Sequence, residues 1–194
     1  MQDPRIFIEH VPYKIYKSVG NKKSKYIYIA RNPREVAVSL YKILSTKKPF
    51  PNNLLVGFNG TWGQFFDSFI KGETYYGGWF DHVSEWYEHR NDANVLFIWY
   101  EELLRDLSGS IIRISGFLDL PISEDLVKNI CEKASFEVMK TDKDVKVADF
   151  LLLEPSTFFR SGTNRSWEEM FTDEQKSEID QLMSKYFKRE AELF

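Results

Sequence analysis

The sequence predicts an α/β fold with a mostly parallel central sheet flanked by helices. Two short runs, Tyr26-Ile27-Tyr28-Ile29-Ala30 and Val95-Leu96-Phe97-Ile98-Trp99-Tyr100, are continuously apolar and rich in β-branched or aromatic residues. Parallel strands covered on both faces read this way. The stretches around them carry apolar residues at helical spacing behind capping residues, and strands separated by helices pair in parallel. At roughly 150 residues per domain, 194 residues predict a single domain spanning 1–194.

Taken in order, Arg5-Ile6-Phe7-Ile8 is a third, weaker strand candidate before Glu9-His10. Behind Tyr26–Ala30, Asn32 suits an N-cap, Pro33 the first helical position, and Glu35 the third, where its carboxylate can reach back to the cap. That helix is expected to bury Val36, Leu40 and Ile43 at i, i+4 and i+7. Thr61 and Gln64 form a capping box for a helix with Phe65, Phe66 and Phe69 on one side, and Gly72 can close it. Trp79, Val83, Trp86 and Tyr87 keep helical spacing. Ser123 caps a helix carrying Leu126 and Ile130. Thr172 and Gln175 open a last helix with Ile179, Leu182, Met183, Tyr186 and Phe187 on one stripe.

Composition narrows the function classes. The chain is 43% apolar, 16% aromatic and 28% charged, which is the make-up of a packed globular protein and not of a disordered or collagen-like one. Lys plus Arg (26) against Asp plus Glu (29) leaves −3, too even to indicate nucleic acid or an anionic membrane. A single Cys131 cannot form an internal disulfide, which fits a reducing, cytoplasmic compartment. No apolar run reaches the ~20 residues of a membrane span, and the start lacks a signal-peptide pattern. No metal-ligand spacing stands out, and no metal is expected.

The most informative segment is Tyr28-Ile29-Ala30-Arg31-Asn32-Pro33-Arg34-Glu35-Val36-Ala37-Val38-Ser39. It places Arg31 at the carboxyl end of a sheet strand beside a helix N-terminus, where open α/β sheets bind ligands and the helix dipole favours an anion. The Arg31 guanidinium is a planar donor fork suited to phosphate, and Ser39 offers a hydroxyl two turns on. The plainer alternative is an arginine paired with a nearby carboxylate and a serine on a solvated face.

This segment closely resembles the 3′-phosphate-binding segment of the cytosolic sulfotransferases, which use 3′-phosphoadenosine 5′-phosphosulfate (PAPS). The likeness continues in order to the far end of the chain. Gly60-Thr61-Trp62, Gly72-Glu73, Tyr76-Gly77, Trp79, His82-Val83 and Glu85-Trp86 are similar to the family's central helical stretch. Val95 to Glu102 resembles its next core strand, Ser135-Phe136 with Met139-Lys140 its adenine-side segment, and Phe158-Phe159-Arg160-Ser161-Gly162 with Trp167 its C-terminal nucleotide loop. The fold implied is the sulfotransferase one, similar to that of the P-loop NTPases.

The resemblance implies roles. Arg31 and Ser39 would hold the 3′-phosphate. Arg160, Ser161 and Gly162 would form a second clamp on it, with Gly162 letting backbone N–H groups approach. Tyr100 would contact adenine, and Ser135, Phe136 and Phe158 would line the nucleotide pocket. His10, shortly before the phosphate strand, would take the proton from an acceptor hydroxyl, because an imidazole titrates near neutrality. His82 and His89 read as helix residues.

The sequence departs from the family in four places. The family's N-terminal strand and Lys-containing phosphosulfate loop have no counterpart here. Ser161 stands where Lys follows the clamp arginine, and Ile8 where Lys precedes the histidine by two. Glu168 and Asp173 replace residues of the family's dimer motif, so a monomer is expected. The leading reading is a sulfotransferase acting on a small phenol, alcohol or sterol, with neither nucleic-acid nor membrane partners. The alternative is a non-catalytic nucleotide-binding or interaction protein. Ordinary phosphoryl transfer is disfavoured, since no Gly-x-x-x-x-Gly-Lys-Ser/Thr occurs.

Overall fold

The computed structural model describes residues 5–19, 23–45, 57–141 and 167–188. Two strands, β1 (Tyr26–Ala30) and β2 (Val95–Trp99), pair in parallel with Tyr26 opposite Val95 and Ala30 opposite Trp99. Between them run α2 (Pro33–Leu44), α3 (Trp62–Lys71) and α4 (Trp79–Glu88), and α1 (Tyr13–Val19) precedes β1. After β2 come α5 (Tyr100–Arg105), α6 (Leu107–Phe117), α7 (Glu124–Lys133) and α8 (Phe136–Thr141), and α9 (Asp173–Tyr186) closes the described chain. The parallel α/β class expected from the sequence is the one observed.

The caps lie where the sequence puts them. Thr61 with Gln64 and Thr172 with Gln175 form complete capping boxes. Gly72 ends α3 at φ +74°, a left-handed conformation that a side chain would strain. The core is aromatic: Phe65, Phe66 and Phe69 from α3, Trp79, Phe80 and Trp86 from α4, Phe97 and Trp99 from β2, and Phe187 just past α9. Each such side chain contributes about 1.5–3 kcal/mol on leaving water.

Several expectations need correction. Arg5–Ile8 is not a strand: no described strand lies beside it to share a ladder, and Ile6 and Ile8 are 86% and 84% exposed. β2 stops at Trp99, because the Glu102 side chain accepts the Trp99 N–H (3.2 Å) and turns the chain into α5, leaving Tyr100 as its first residue. Only β2 is buried along its whole length. β1 alternates, with Tyr26, Tyr28 and Ala30 turned to the core, while Ile29 is 50% exposed on a face that no described element covers. In α2 the buried positions are Pro33, Arg34, Glu35, Ala37, Val38 and Leu44, and Val36, Leu40 and Ile43 pack half-buried at the core's margin. In α7 it is Val127 that is buried, while Leu126 faces outward.

The C-terminal helix is tied to the start of α2. Arg34 pairs with Asp180, and its guanidinium lies 5.0 Å from the Trp167 ring centre. The Trp62 indole N–H donates to Gln175 Oε1 (3.0 Å) and the Tyr186 hydroxyl to Asp81 Oδ1 (3.2 Å).

Candidate functional site

Two groups of residues expected to act chemically hang from β1. One is the turn leaving its carboxyl end. Asn32 caps α2 by accepting the Arg34 N–H (2.9 Å). Glu35 does not close the box as expected. Its carboxylate lies 3.4 Å from the Arg31 guanidinium, and it is Glu101, from α5, that accepts the Asn32 N–H (3.0 Å). A charged guanidinium attracts a carboxylate more strongly than a neutral amide does, which favours the turn of Glu35 towards Arg31. Two donors at the α2 N-terminus are therefore already held, and the anion-binding capacity of the turn falls to side chains.

Arg31 is the exposed one of these. About a third of its side chain meets solvent, its guanidinium carbon sits 4.8 Å from the Tyr100 ring centre, and its Nε is buried with no hydrogen-bond partner among the described residues. A buried N–H without an acceptor costs about 1–3 kcal/mol, so Arg31 is poised to take an oxygen ligand. Glu101 stands beside it with a buried Oε2 that has no partner among the described residues. Burial pushes the Glu101 carboxyl above its usual range, while the Asn32 N–H and Arg31 pull it back. Ser39 follows on α2, half-buried. The structure thus brings Arg31 and Tyr100 together, with Ser39 two turns up the same helix.

The second group is built around His10. Tyr28, three residues and about 10 Å before Arg31 along the strand, turns its ring inward and stacks on Trp86 (4.9 Å). Its hydroxyl is 2.8 Å from His82 Nδ1, and His82 Nε2 is 3.3 Å from the His10 carbonyl oxygen. Burial holds the His82 imidazole below the usual histidine range, against the bond to His10 and the nearby Glu85 carboxylate, which favour its charged form. Burial likewise raises the Tyr28 phenol, so it stays protonated at neutral pH. The His10 ring is exposed and lies 4.9 Å from the ring of Tyr76, which itself adopts φ +69°.

The remaining candidates are placed apart from these groups in the chain or not described. Ser135 caps α8, accepting the Val138 N–H at 3.4 Å, and Phe136 is its first, half-buried residue. Phe158, Arg160, Ser161 and Gly162 lie outside the described residues. Among the described residues no cluster of three or more His, Cys, Asp or Glu could hold a metal, and no helix is long and apolar enough to cross a membrane.

Three participants lie in segments that resemble the family but received no role from the sequence: Glu101, Tyr76 and His82. For His82 a local signal exists as well, since with Trp86 and His89 it forms an i, i+4, i+7 stripe of N–H-bearing rings.

The comparisons with known proteins agree with the parallel α/β fold. The sulfotransferase domain family matches residues 1–190. The amine sulfotransferase of Oryctolagus cuniculus is 34% identical over 194 residues, covering 95% of this chain and 62% of that protein. Among solved structures, mouse sulfotransferase SULT7A1 complexed with PAP superposes with a TM-score of 0.78 at 32% identity, over 95% of this chain and 66% of that one. Retinol dehydratase in complex with androsterone and inactive cofactor PAP superposes with a TM-score of 0.71 at 29% identity, covering 85% of this chain and 48% of the other. The chain therefore spans about three-fifths of the length of the rabbit relative.

Proposed function

We propose that this chain, which belongs to the sulfotransferase domain family, binds PAPS through Arg31 and Ser39 and passes its sulfuryl group to the hydroxyl of a small acceptor. The observation that carries the reading is Arg31. It combines a buried Nε without a partner among the described residues, a guanidinium against the Tyr100 ring, and a place at the end of a parallel strand in a family with PAP-bound structural relatives. Arg31 and Ser39 meet the 3′-phosphate, and Tyr100 offers the adenine a flat surface. Phe136, with Ser135, and the segment holding Phe158, Arg160, Ser161 and Gly162 complete the nucleotide pocket.

In the transfer, the sulfur–oxygen bond to the nucleotide breaks as a bond to the acceptor oxygen forms. The acceptor's proton passes to the His10 imidazole, whose exposed ring lies beside Tyr76. The acceptor is a small phenol, alcohol or sterol. Androsterone in one structural relative supports the sterol class, and the rabbit amine sulfotransferase adds amines to the panel worth testing. Residues 1–194 act as one domain, a cytoplasmic setting suits the single cysteine, and the substitutions at Glu168 and Asp173 favour a monomer.

The test is calorimetry with adenosine 3′,5′-bisphosphate, followed by transfer from radiolabelled PAPS to a panel of phenols, alcohols, sterols and amines. Arg31→Ala is expected to weaken bisphosphate binding by roughly 2–4 kcal/mol, as when one partner of a desolvated charge pair is lost, while AMP binds weakly to both proteins. Equal bisphosphate affinity before and after the substitution removes the site. Binding without transfer supports the alternative of a non-catalytic nucleotide-binding protein. Ile8 favours that alternative: it is exposed two residues before His10, where the family places a lysine, so one positive charge near the transferring group is lost.

A further inference from the structure

Residues 5–12 form no helix and join no ladder, and fixing each such residue costs about 1–2 kcal/mol of backbone entropy. The position of His10 must therefore come from bonds made by other elements. Those bonds come from one stripe of α4. His82 faces the His10 carbonyl at 3.3 Å, and four residues on, the Trp86 indole N–H donates to the Val11 carbonyl at 3.2 Å. Three residues further, the His89 ring stacks on Tyr13 at 3.7 Å, at the start of α1. Two consecutive main-chain carbonyls and the ring that follows them are thus gripped by one helix face.

We infer that His82 is a positioning residue for His10: held as its Nε2–H tautomer by the Tyr28 hydroxyl, it anchors the His10 main chain so that the imidazole lies against Tyr76. The inference rests on the reading of His10 as proton acceptor. The tautomer follows from elementary donor counting. A carbonyl can only accept, so Nε2 must carry the proton, and in a neutral ring Nδ1 is then the acceptor for the Tyr28 O–H. Tyr28 comes from β1 and His82 from α4, so the bond pair ties the floor of the sheet to the His10 segment. The titratable groups facing His82 are Tyr28 across the sheet, Glu85 on its own helix and His10 itself. Burial keeps the ring neutral against Glu85, which suits an anchor that must not reverse its donor and acceptor. Protonating Nδ1 would turn the Tyr28 oxygen into an acceptor and strand the phenol proton.

The experiment is NMR on the chain with ¹⁵N-labelled histidine. The expected result is a His82 with protonated Nε2 and bare Nδ1 at neutral pH, and cross-peaks between the His10 and Tyr76 rings. His82→Phe should keep the ring's bulk and abolish those cross-peaks. His82→Gln, whose terminal N–H₂ can still reach the carbonyl, should retain them. Tyr28→Phe, which removes only the hydroxyl, should release His82 into a mixture of tautomers and weaken the cross-peaks at least 3-fold, and it serves where His82→Phe does not fold. Undiminished cross-peaks in a folded His82→Phe or Tyr28→Phe protein overturn the inference. So does a His82 protonated on Nδ1 alone, or a His82→Gln protein that loses the contact as completely as His82→Phe. The reading of His10 fails separately: His10→Ala transferring sulfuryl at the parental rate removes its chemical role, while the spectra of the proteins that keep His10 remain as expected.

Discussion

The Arg31 turn and the His10 segment sit at the end and along the side of the same strand, yet they are held in opposite ways. The turn is assembled mostly from neighbours in the chain. Asn32 caps its own helix and Glu35 pairs with Arg31 one helical turn away, while Glu101 and Tyr100 arrive from α5 and Asp180 and Trp167 meet Arg34 from the C-terminal part. The His10 segment has no secondary structure of its own, and its bonds come from residues more than 60 positions away: His82, Trp86 and Tyr76. A site built from local signals keeps its shape when distant parts are altered. A site borrowed from a helix face depends on that face, residue by residue.

His10→Ala tests whether the two regions are separable in function and should have the largest effect. Transfer is expected to fall by about 10²–10⁴-fold, the usual worth of a general base, with bisphosphate affinity measured by calorimetry unchanged. A parallel loss of affinity would break the comparison, because it would make the two regions one site.

Trp86→Phe should sharpen it. The substitution keeps an aromatic ring in the core but removes the donor to the Val11 carbonyl. Stability in urea should fall by about 1–3 kcal/mol from the smaller ring and the unpaired carbonyl. Hydrogen exchange should quicken selectively at residues 5–13, with the β1–α2 turn still protected. Uniform quickening across both regions would contradict the idea that α4 holds the segment.

Asn32→Ala probes the local half. Loss of the cap is expected to cost ~1 kcal/mol of global stability, read from the urea midpoint, and to leave the His10–Tyr76 ring contact intact. A loosened His10 in that variant would show that the turn reaches further than its own neighbours.

The smallest effect is one of pH. His82 is held below the usual histidine value of ~6.5, so the folded state binds fewer protons than the unfolded state just below that pH. Its stabilising contribution is complete above about pH 6.5 and is lost as pH falls towards its depressed folded value. His82→Gln should flatten this acid limb in urea titrations between neutrality and pH 5. An unchanged slope would mean that His82 is not held neutral.

What the sequence could reveal follows the same division. Capping residues act within four positions of themselves, so Thr61-x-x-Gln64, Thr172-x-x-Gln175, Ser123 and the Asn32-Pro33 start are legible as written, and so are the two strands. Arg31 is legible for the same reason, since its strand end and helix start are both contiguous with it. The partner of Glu35 is not, because its carboxylate lies against Arg31 while Glu101, from 69 positions away, takes the cap's N–H. The buried stripe of α2 was misplaced because its face depends on which elements cover it, and periodicity fixes only the spacing.

The sequence by itself determined where the helices begin, which two runs pair in parallel, and which arginine stands at the strand's end, because each is decided by forces acting over one turn or one strand. Only the tertiary structure decided that Tyr28 meets His82, that His82 and Trp86 hold the carbonyls of His10 and Val11, and that Glu101 takes the cap's N–H. A hydrogen bond is satisfied by whichever donor the fold brings within about 3 Å, and no pattern in the chain records which distant residue that will be.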